Sequence, residues 1–276
     1  MIAIAEYEKR NKIPFGYINY AIVFSSFHGA WSQLERGEIP LDEEFYARFS
    51  HDLSNPRAWT EYWRNTKGPR HASTATNTAG TGTIAPAMPP PIDGKFLFSE
   101  MMRTSRALDP YFVPAIQRLR AQHMADGGQQ RVFVVGACTN DVQFPSGHEY
   151  AGSGSAQRAL RELFDVWVSS SEAGMRKPEK GIYELALRRL AERRRSWYNG
   201  KDHEGVEGSQ VVFLDDIGMN LKGATALGIR GIKVALGETW KAVRELEGIL
   251  GLEEGALFDK DSLEKLKREG KWNSKL

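Results

Sequence analysis

Strand-like and helical segments alternate along the second half of the chain, and this alternation restricts the possible folds more than any other feature. Four short, nearly continuous apolar runs are separated by amphipathic helical stretches. The runs are 131–139 (RVFVVGACT), 164–171 (FDVWVSSS), 211–216 (VVFLDD) and 229–236 (IRGIKVAL). Apolar runs of this length are typical of strands buried on both faces of a parallel sheet. Strands that alternate with helices indicate βαβ units. We therefore predict an α/β fold with a doubly wound parallel sheet over about residues 126–276.

The first 125 residues have a different pattern. Short amphipathic helical pieces follow one another from Met1, with Phe45 and Phe49 four residues apart on one of them. Residues 65–91 are rich in Thr, Ala, Gly and Pro and show no periodicity, which indicates a flexible low-complexity insertion. We expect a helical region at 1–125 that contains this insertion, followed by the α/β region at 126–276.

Charge and cysteine content narrow the class of protein. The formal net charge is only +2, and 26% of residues are charged, so no basic face for nucleic acid or a membrane surface is indicated. The apolar runs fall well short of the roughly 20 residues that a membrane helix needs. The single cysteine, Cys138, excludes a disulfide framework and a zinc site built on several thiolates. We expect a soluble, cytoplasmic protein; the sequence does not indicate its oligomeric state.

Polar residues stand where the predicted strands end, which is where doubly wound sheets bind ligands. The most distinctive is the acidic pair Asp215-Asp216. Two adjacent carboxylates at a strand end repel each other unless a cation such as Mg²⁺ compensates them. Capping of the next helix by one of the two is the alternative interpretation. The pair is a candidate metal site.

Two further strand ends carry groups suited to an anion. Lys177 precedes a proline at the start of a predicted helix and could place its ammonium group over the strand ends. Taken alone, it has the pattern of an ordinary surface lysine. Thr139 and Asn140 could bind an anion through hydroxyl, amide and backbone N–H groups. Helix capping explains Thr139 and Asn140 equally well.

Taken together, three segments resemble motifs of the haloacid dehalogenase-like (HAD) hydrolase superfamily. They are similar to the branch that contains the phosphatase domain of soluble epoxide hydrolases and of acyl-CoA dehydrogenase fusions. GACTND resembles the second motif, SSEAGMRKPEKGIYELAL the third, and VVFLDDIGMNLKGATALGIRGIKV the fourth. AWSQLERGEI and the helices around it resemble the helical cap of that family.

This resemblance implies a site and a chemistry. Asp216, and with it Asp215, would hold Mg²⁺. Thr139 and Asn140 would bind the phosphoryl group of a small phosphorylated substrate, and Lys177 would offset negative charge. The implied reaction is hydrolysis of a phosphate ester through an aspartyl-phosphate intermediate, with Lys177 and Thr139 as catalytic residues. A dehalogenase reaction would use the same nucleophile, so the motifs do not separate the two activities.

The first motif of the family, an apolar strand ending in D-x-D, is not found in these 276 residues. AIVFSSFHG has Ser25 and Phe27 where the two carboxylates should stand, and the D-x-D of Asp259 and Asp261 follows the last strand. In the family this strand is central, between the strands that end at Thr139 and Asp216. We therefore expect the chain as encoded to be inactive, through truncation of its coding sequence or through true loss.

Two other functions stay open at this stage. The chain could be a non-catalytic HAD-like protein that binds a phosphorylated metabolite or a protein partner. It could also be a nucleotide-binding domain unrelated to HAD chemistry, which the lack of a glycine-rich fingerprint after a strand disfavours.

Overall fold

The fold was derived from a computed structural model of the chain. The structure describes residues 2–67, 87, 91–105, 108–122, 132–151, 155–197, 205–259, 264 and 268. The chain divides into two compact units, Met1–Arg106 and Ala107–Leu276, which are described separately below. Most of the predicted insertion at 65–91 lies outside the described residues; its first three residues continue a helix. Within the described residues, no helix is both long and apolar enough to cross a membrane.

The described residues of the first unit form helices joined by short turns and loops. Its helices are α1 (Ile2–Arg10), α2 (Tyr17–Phe24), α3 (Ala30–Glu35), α4 (Glu43–Leu53), α5 (Pro56–Lys67) and α6 (Gly94–Thr104). The carboxylates of Asp42 and Asp93 accept backbone N–H groups in the first turns of α4 and α6, which fixes where these helices start. The core is aromatic: the rings of Phe45 and Phe49 stack with centroids 5.6 Å apart, and both side chains are buried.

The second unit alternates strands and helices. In chain order it contains α7 (Phe112–Ala121), β1 (Gly136–Thr139), α8 (Ser155–Glu162), β2 (Val166–Ser169), α9 (Ser170–Ala173), α10 (Lys180–Trp197), β3 (Val212–Asp215), α11 (Gly218–Thr225), β4 (Arg230–Lys233) and α12 (Thr239–Leu250). Each of the four apolar runs contains one of these strands. The second unit includes α7, whose buried residues Ala115 and Leu119 join the cluster that contains buried residues of α12.

The strands form two parallel pairs. β1 pairs with β2, with Thr139 opposite Ser169, and β3 pairs with β4, with Asp215 opposite Lys233. The structure therefore has two small parallel sheets in a mixed α/β unit, where the sequence predicted a doubly wound sheet that lacks its central strand. Among the described residues, no strand pairs with the second edge of β1 or of β3.

Both sheets are covered by helices on two faces. On one face, Phe133 and Val135 before β1 pack against the same cluster as Val212 and Leu214 of β3. This cluster contains buried residues of α7 and α12. On the other face, Cys138 and Phe213 pack against a cluster that contains buried residues of α10 and α11. Because side chains alternate across a strand, β1 and β3 contribute to the same two layers.

Candidate active site

Lys177 and Asp215 form an ion pair at the carboxyl end of β3. The Lys177 Nζ lies 2.8 Å from Oδ2 of Asp215. The side chains are only 11% and 5% exposed, so the two charges compensate each other largely away from water. Lys177 comes from the loop between α9 and α10, and its Nζ also lies 5.3 Å from the ring centroid of Phe213. The structure therefore brings together two of the residues that the sequence singled out.

Asp215 is held by more than this lysine. Its Oδ1 accepts the backbone N–H of Ile217 at 2.7 Å, which is the local turn expected of an aspartate before a helix. The Nδ2 of Asn220 donates to both carboxylate oxygens, at 3.0 and 3.1 Å. Asn220 is buried, and its carbonyl accepts the hydroxyl of Tyr183 at 2.8 Å. Asn220 was not predicted from the sequence. The available signal was a polar residue in the first turn of a helix that follows an acidic strand end.

Asp216 has a different environment. Its side chain is half-buried, and its carbonyl oxygen accepts a hydrogen bond from Nζ of Lys233. Within the part of the chain that the structure describes, its carboxylate makes no hydrogen bond or ion pair. Next to the buried Lys177–Asp215 pair, Asp216 therefore has a carboxylate without a partner among the described residues.

The described residues contain no group of three His, Cys, Asp or Glu side chains that could hold a metal. A dedicated protein cage for a cation is therefore not present among them. Mg²⁺, however, is commonly held by one or two carboxylates together with water and substrate phosphate. The carboxylate of Asp216, which has no hydrogen-bond or ion-pair partner among the described residues, fits that mode of binding. Both oxygens of Asp215 accept from Asn220, and its Oδ2 also accepts from Lys177.

Thr139 lies at the end of β1, opposite Ser169 in the register. Its hydroxyl makes a single weak contact, to the carbonyl of Asn140 at 3.4 Å. Thr139 is half-buried, and its hydroxyl uses its one hydrogen in this weak contact, so it would donate to a ligand by exchanging that contact.

Asn140 is placed differently from its predicted role. Its Oδ1 accepts the backbone N–H of Lys177 at 2.8 Å, and its Nδ2 donates to the Lys177 carbonyl at 3.1 Å. One carboxamide thus bonds both polar groups of a single residue 37 positions along the chain. The Oδ1 and the Nδ2 of Asn140 therefore both face the main chain of Lys177.

Asp141 is a second residue that the sequence analysis missed. Its Oδ1 accepts the hydroxyls of Ser169 and Ser171 at 2.8 and 2.9 Å, and the Ser170 hydroxyl lies 3.4 Å away. All three serines are buried. A run of three serines directly after a buried strand was the sequence signal, because buried hydroxyls require a partner.

Cys138 is the remaining nucleophilic side chain near these strand ends. Burial raises the pKa of its thiol to about 11, so the neutral thiol predominates at physiological pH and the thiolate needed for attack is rare. Its side chain packs with the core cluster on the α10 and α11 face. These properties agree with a structural strand residue.

Comparison with curated proteins identifies relatives of two kinds. Acyl-CoA dehydrogenase family member 10 of Mus musculus is 34% identical over 166 residues, which cover 56% of this chain and 13% of that protein. Bifunctional epoxide hydrolase 2 of Sus scrofa is 37% identical over 94 residues, which cover 34% of this chain and 14% of that protein. These relatives confirm the resemblance predicted from the motifs. The chain spans less than a sixth of the length of either.

Solved structures show a weaker likeness. A HAD family enzyme from Bacteroides thetaiotaomicron, solved with magnesium and inorganic phosphate, matches with a TM-score of 0.39 and 16% identity over 86% of this chain and 87% of that one. A dehalogenase matches with a TM-score of 0.38 and 16% identity over 86% and 92%. No protein-family model matches the chain.

Proposed function

We propose that the chain is the helical cap and α/β part of a HAD-like hydrolase of the phosphatase type, acting on a small phosphorylated molecule. The buried Lys177–Asp215 pair, with its Nζ–Oδ2 distance of 2.8 Å, is the observation that carries this proposal. It keeps a positive charge fixed at the carboxyl ends of the strands, where Thr139 and Asp216 also lie. Phosphoryl transfer depends mainly on such positioning and charge stabilisation.

Each residue has a part in this proposal. Asp216 would hold Mg²⁺, and Asp215 would hold the Lys177 ammonium group in place. The Thr139 hydroxyl would donate to a phosphoryl oxygen, and the Lys177 ammonium would offset the negative charge of the phosphoryl group and of the nucleophile. Bound Mg²⁺ would supply further charge stabilisation at the phosphoryl oxygens.

We also propose that the two parallel pairs are halves of one doubly wound sheet, and that one further strand belongs between β1 and β3. Two findings support this: β1 and β3 each have an unpaired edge among the described residues, and residues next to or within both strands pack against the same clusters on both faces. A strand there would end beside Thr139 and Asp215. That is where the nucleophile of an aspartyl-phosphate cycle is needed.

It follows that the 276 residues alone should not turn over a phosphate ester. The test extends the chain at its start with an apolar strand ending in D-x-D, and compares this protein with the unextended chain and with an N-x-N extension. We expect Mg²⁺-dependent hydrolysis of an aryl phosphate only with D-x-D. Equal hydrolysis by all three proteins, or by none, would contradict the proposal.

Metal binding is tested separately by calorimetric titration of the unextended chain with Mg²⁺. Asp216→Asn should abolish binding, whereas Glu192→Gln, which changes an exposed carboxylate on α10, should leave it unchanged. Mg²⁺ and phosphate binding without turnover in every extended protein would favour the non-catalytic binding protein instead.

A further inference from the structure

We infer that Asn140 and Asp141 are positioning residues that hold the segment carrying Lys177, and that Asn140 is not a substrate ligand. This inference rests on the proposed function, because it assigns a role toward the lysine of that site. The two adjacent residues follow β1 directly. They contact the two ends of the same connector, the segment from Ser169 to Lys177.

Asn140 holds the far end of the connector. Its carboxamide accepts from the Lys177 N–H at 2.8 Å and donates to the Lys177 carbonyl at 3.1 Å. This pattern needs one acceptor and one donor at a fixed separation, which a primary amide provides. An aspartate would lack the donor, and a leucine would lack both groups.

Asp141 holds the near end. Its carboxylate accepts hydroxyl hydrogen bonds from Ser169 and Ser171 and the backbone N–H of Ser171 at 3.3 Å. Its own backbone N–H donates to the Ser170 hydroxyl at 2.9 Å. Because the serines are buried, these bonds are not exchanged readily for water.

The side chain of Lys177 is fixed at a third point. Its ammonium bonds Asp215 at 2.8 Å, so the main chain of the residue is tied to β1 and its charge is tied to β3. A flexible lysine side chain loses much conformational freedom when it is placed like this. Asn140 fixes the main chain of Lys177, which reduces the remaining conformational freedom of the lysine and keeps its ammonium group at the strand ends.

The first experiment measures how well Lys177 is held. The full chain is treated with an amine-acylating reagent under native conditions, and modification of Lys177 is followed by mass spectrometry relative to Lys180, whose side chain is 72% exposed. Asn140→Leu should raise the relative rate at Lys177 by roughly fivefold or more, because local opening exposes the amine. Gln143→Leu is the matched control, since Gln143 donates only to the Ser171 carbonyl, and it should change the rate less than about twofold.

An unchanged Lys177 rate in Asn140→Leu would overturn the inference. Should this variant fail to fold, Asn140→Asp retains the acceptor for the Lys177 N–H, and a rate between those of the unchanged chain and the Asp215→Asn variant is then expected. A rate equal to that of the unchanged chain would overturn the inference in the same way.

The second experiment separates positioning from ligand contact, using inorganic phosphate as the probe. In a Lys177→Met background, Asn140→Leu should leave the dissociation constant for phosphate unchanged. A further loss of affinity would show that Asn140 contacts the anion, and would overturn the inference. If the unchanged chain binds no phosphate, the proposed function fails, while the acylation rates still decide whether Asn140 positions Lys177.

Discussion

The Nζ of Lys177 lies 2.8 Å from Oδ2 of Asp215, and this contact joins the connector after β2 to the end of β3. Lys177 lies in the segment that follows β2, and Asp215 is the last residue of β3, so the ion pair links the carboxyl ends of the two small sheets. Both side chains are largely buried. A buried pair of this kind is sensitive to the loss of either partner, because the other charge is left without compensation.

Neutralising one member of this pair should destabilise the second unit strongly. We expect Lys177→Met or Asp215→Asn alone to lower the free energy of unfolding by about 3–5 kcal/mol, and the double variant to lose clearly less than the sum. Urea unfolding of the four proteins measures this. Lys180→Met, which removes the exposed Lys180–Glu184 pair, should change stability by only about 0–1 kcal/mol. Additive effects of the two buried substitutions would contradict the coupling.

The meeting of Lys177 with Asp215 could be predicted from sequence because each follows an apolar strand, and parallel strands end at one edge of a sheet. The hydrogen bonds from the Asn140 side chain to the Lys177 main chain could not be predicted, because neither spacing nor residue type indicates whether an amide bonds a ligand or a main chain. The pairing of β1 with β2 and of β3 with β4 could not be predicted from alternation alone, because alternation predicts parallel strands but not which strands are neighbours. The placement of α7 depends on packing against α12, which a local pattern does not contain.

Glu247 on α12 organises the turn that follows its helix. Its Oε1 accepts the N–H groups of Leu257 and Phe258 at 2.7 and 3.2 Å, and its Oε2 accepts from Arg244 at 3.0 Å. Burial alone would raise the pKa of Glu247, but hydrogen bonds from the N–H groups of Leu257 and Gly255 and from Arg244 outweigh it and hold the pKa below 4.5. The ionised carboxylate therefore stabilises the fold.

A carboxyl group with a lowered pKa stabilises the folded protein at pH values above its ordinary pKa of 4.5. This contribution is lost as the pH falls through the lowered pKa. We expect Glu247→Gln to be destabilised at neutral pH by about 1–3 kcal/mol, with the difference from the unchanged protein shrinking below pH 4.5. Urea unfolding at a series of pH values measures this. Glu245→Gln, on the exposed side of the same helix, should show no such trend; a constant Glu247→Gln deficit at all pH values would refute the linkage.

Glu8 in the first unit should have the opposite pH dependence. Its carboxylate accepts the N–H groups of Gly16 and Ile18, both at 2.8 Å, and so satisfies backbone donors at the start of α2. Desolvation is the larger effect, however, and raises the pKa of Glu8 above 4.5. The folded protein therefore retains this proton at a pH where the unfolded chain releases it.

The stability of the first unit should accordingly fall as the pH rises from 4.5 through the raised pKa of Glu8. Hydrogen exchange of peptides from α1 and α2 over this pH range measures the change, after correction for the intrinsic exchange rate. Glu8→Gln should remove the Glu8 contribution to the slope, while Glu6→Gln, an exposed neighbour on the same helix, should leave the slope in place. A slope that persists unchanged in Glu8→Gln would assign it to another group.

Gly223 on α11 permits a close approach to the residue after Lys177. A Cβ at this position would lie 2.8 Å from the carbonyl oxygen of Pro178 and 3.0 Å from the ring of Tyr183. Gly223→Ala should therefore destabilise the second unit by about 1–3 kcal/mol, because the overpacking exceeds the helix propensity that alanine adds. Gly248→Ala on α12, where a Cβ meets nothing within 4 Å, should stabilise by about 0.5–1 kcal/mol. Equal stability of the two variants in urea would show that α11 and the Pro178 segment are not in close contact.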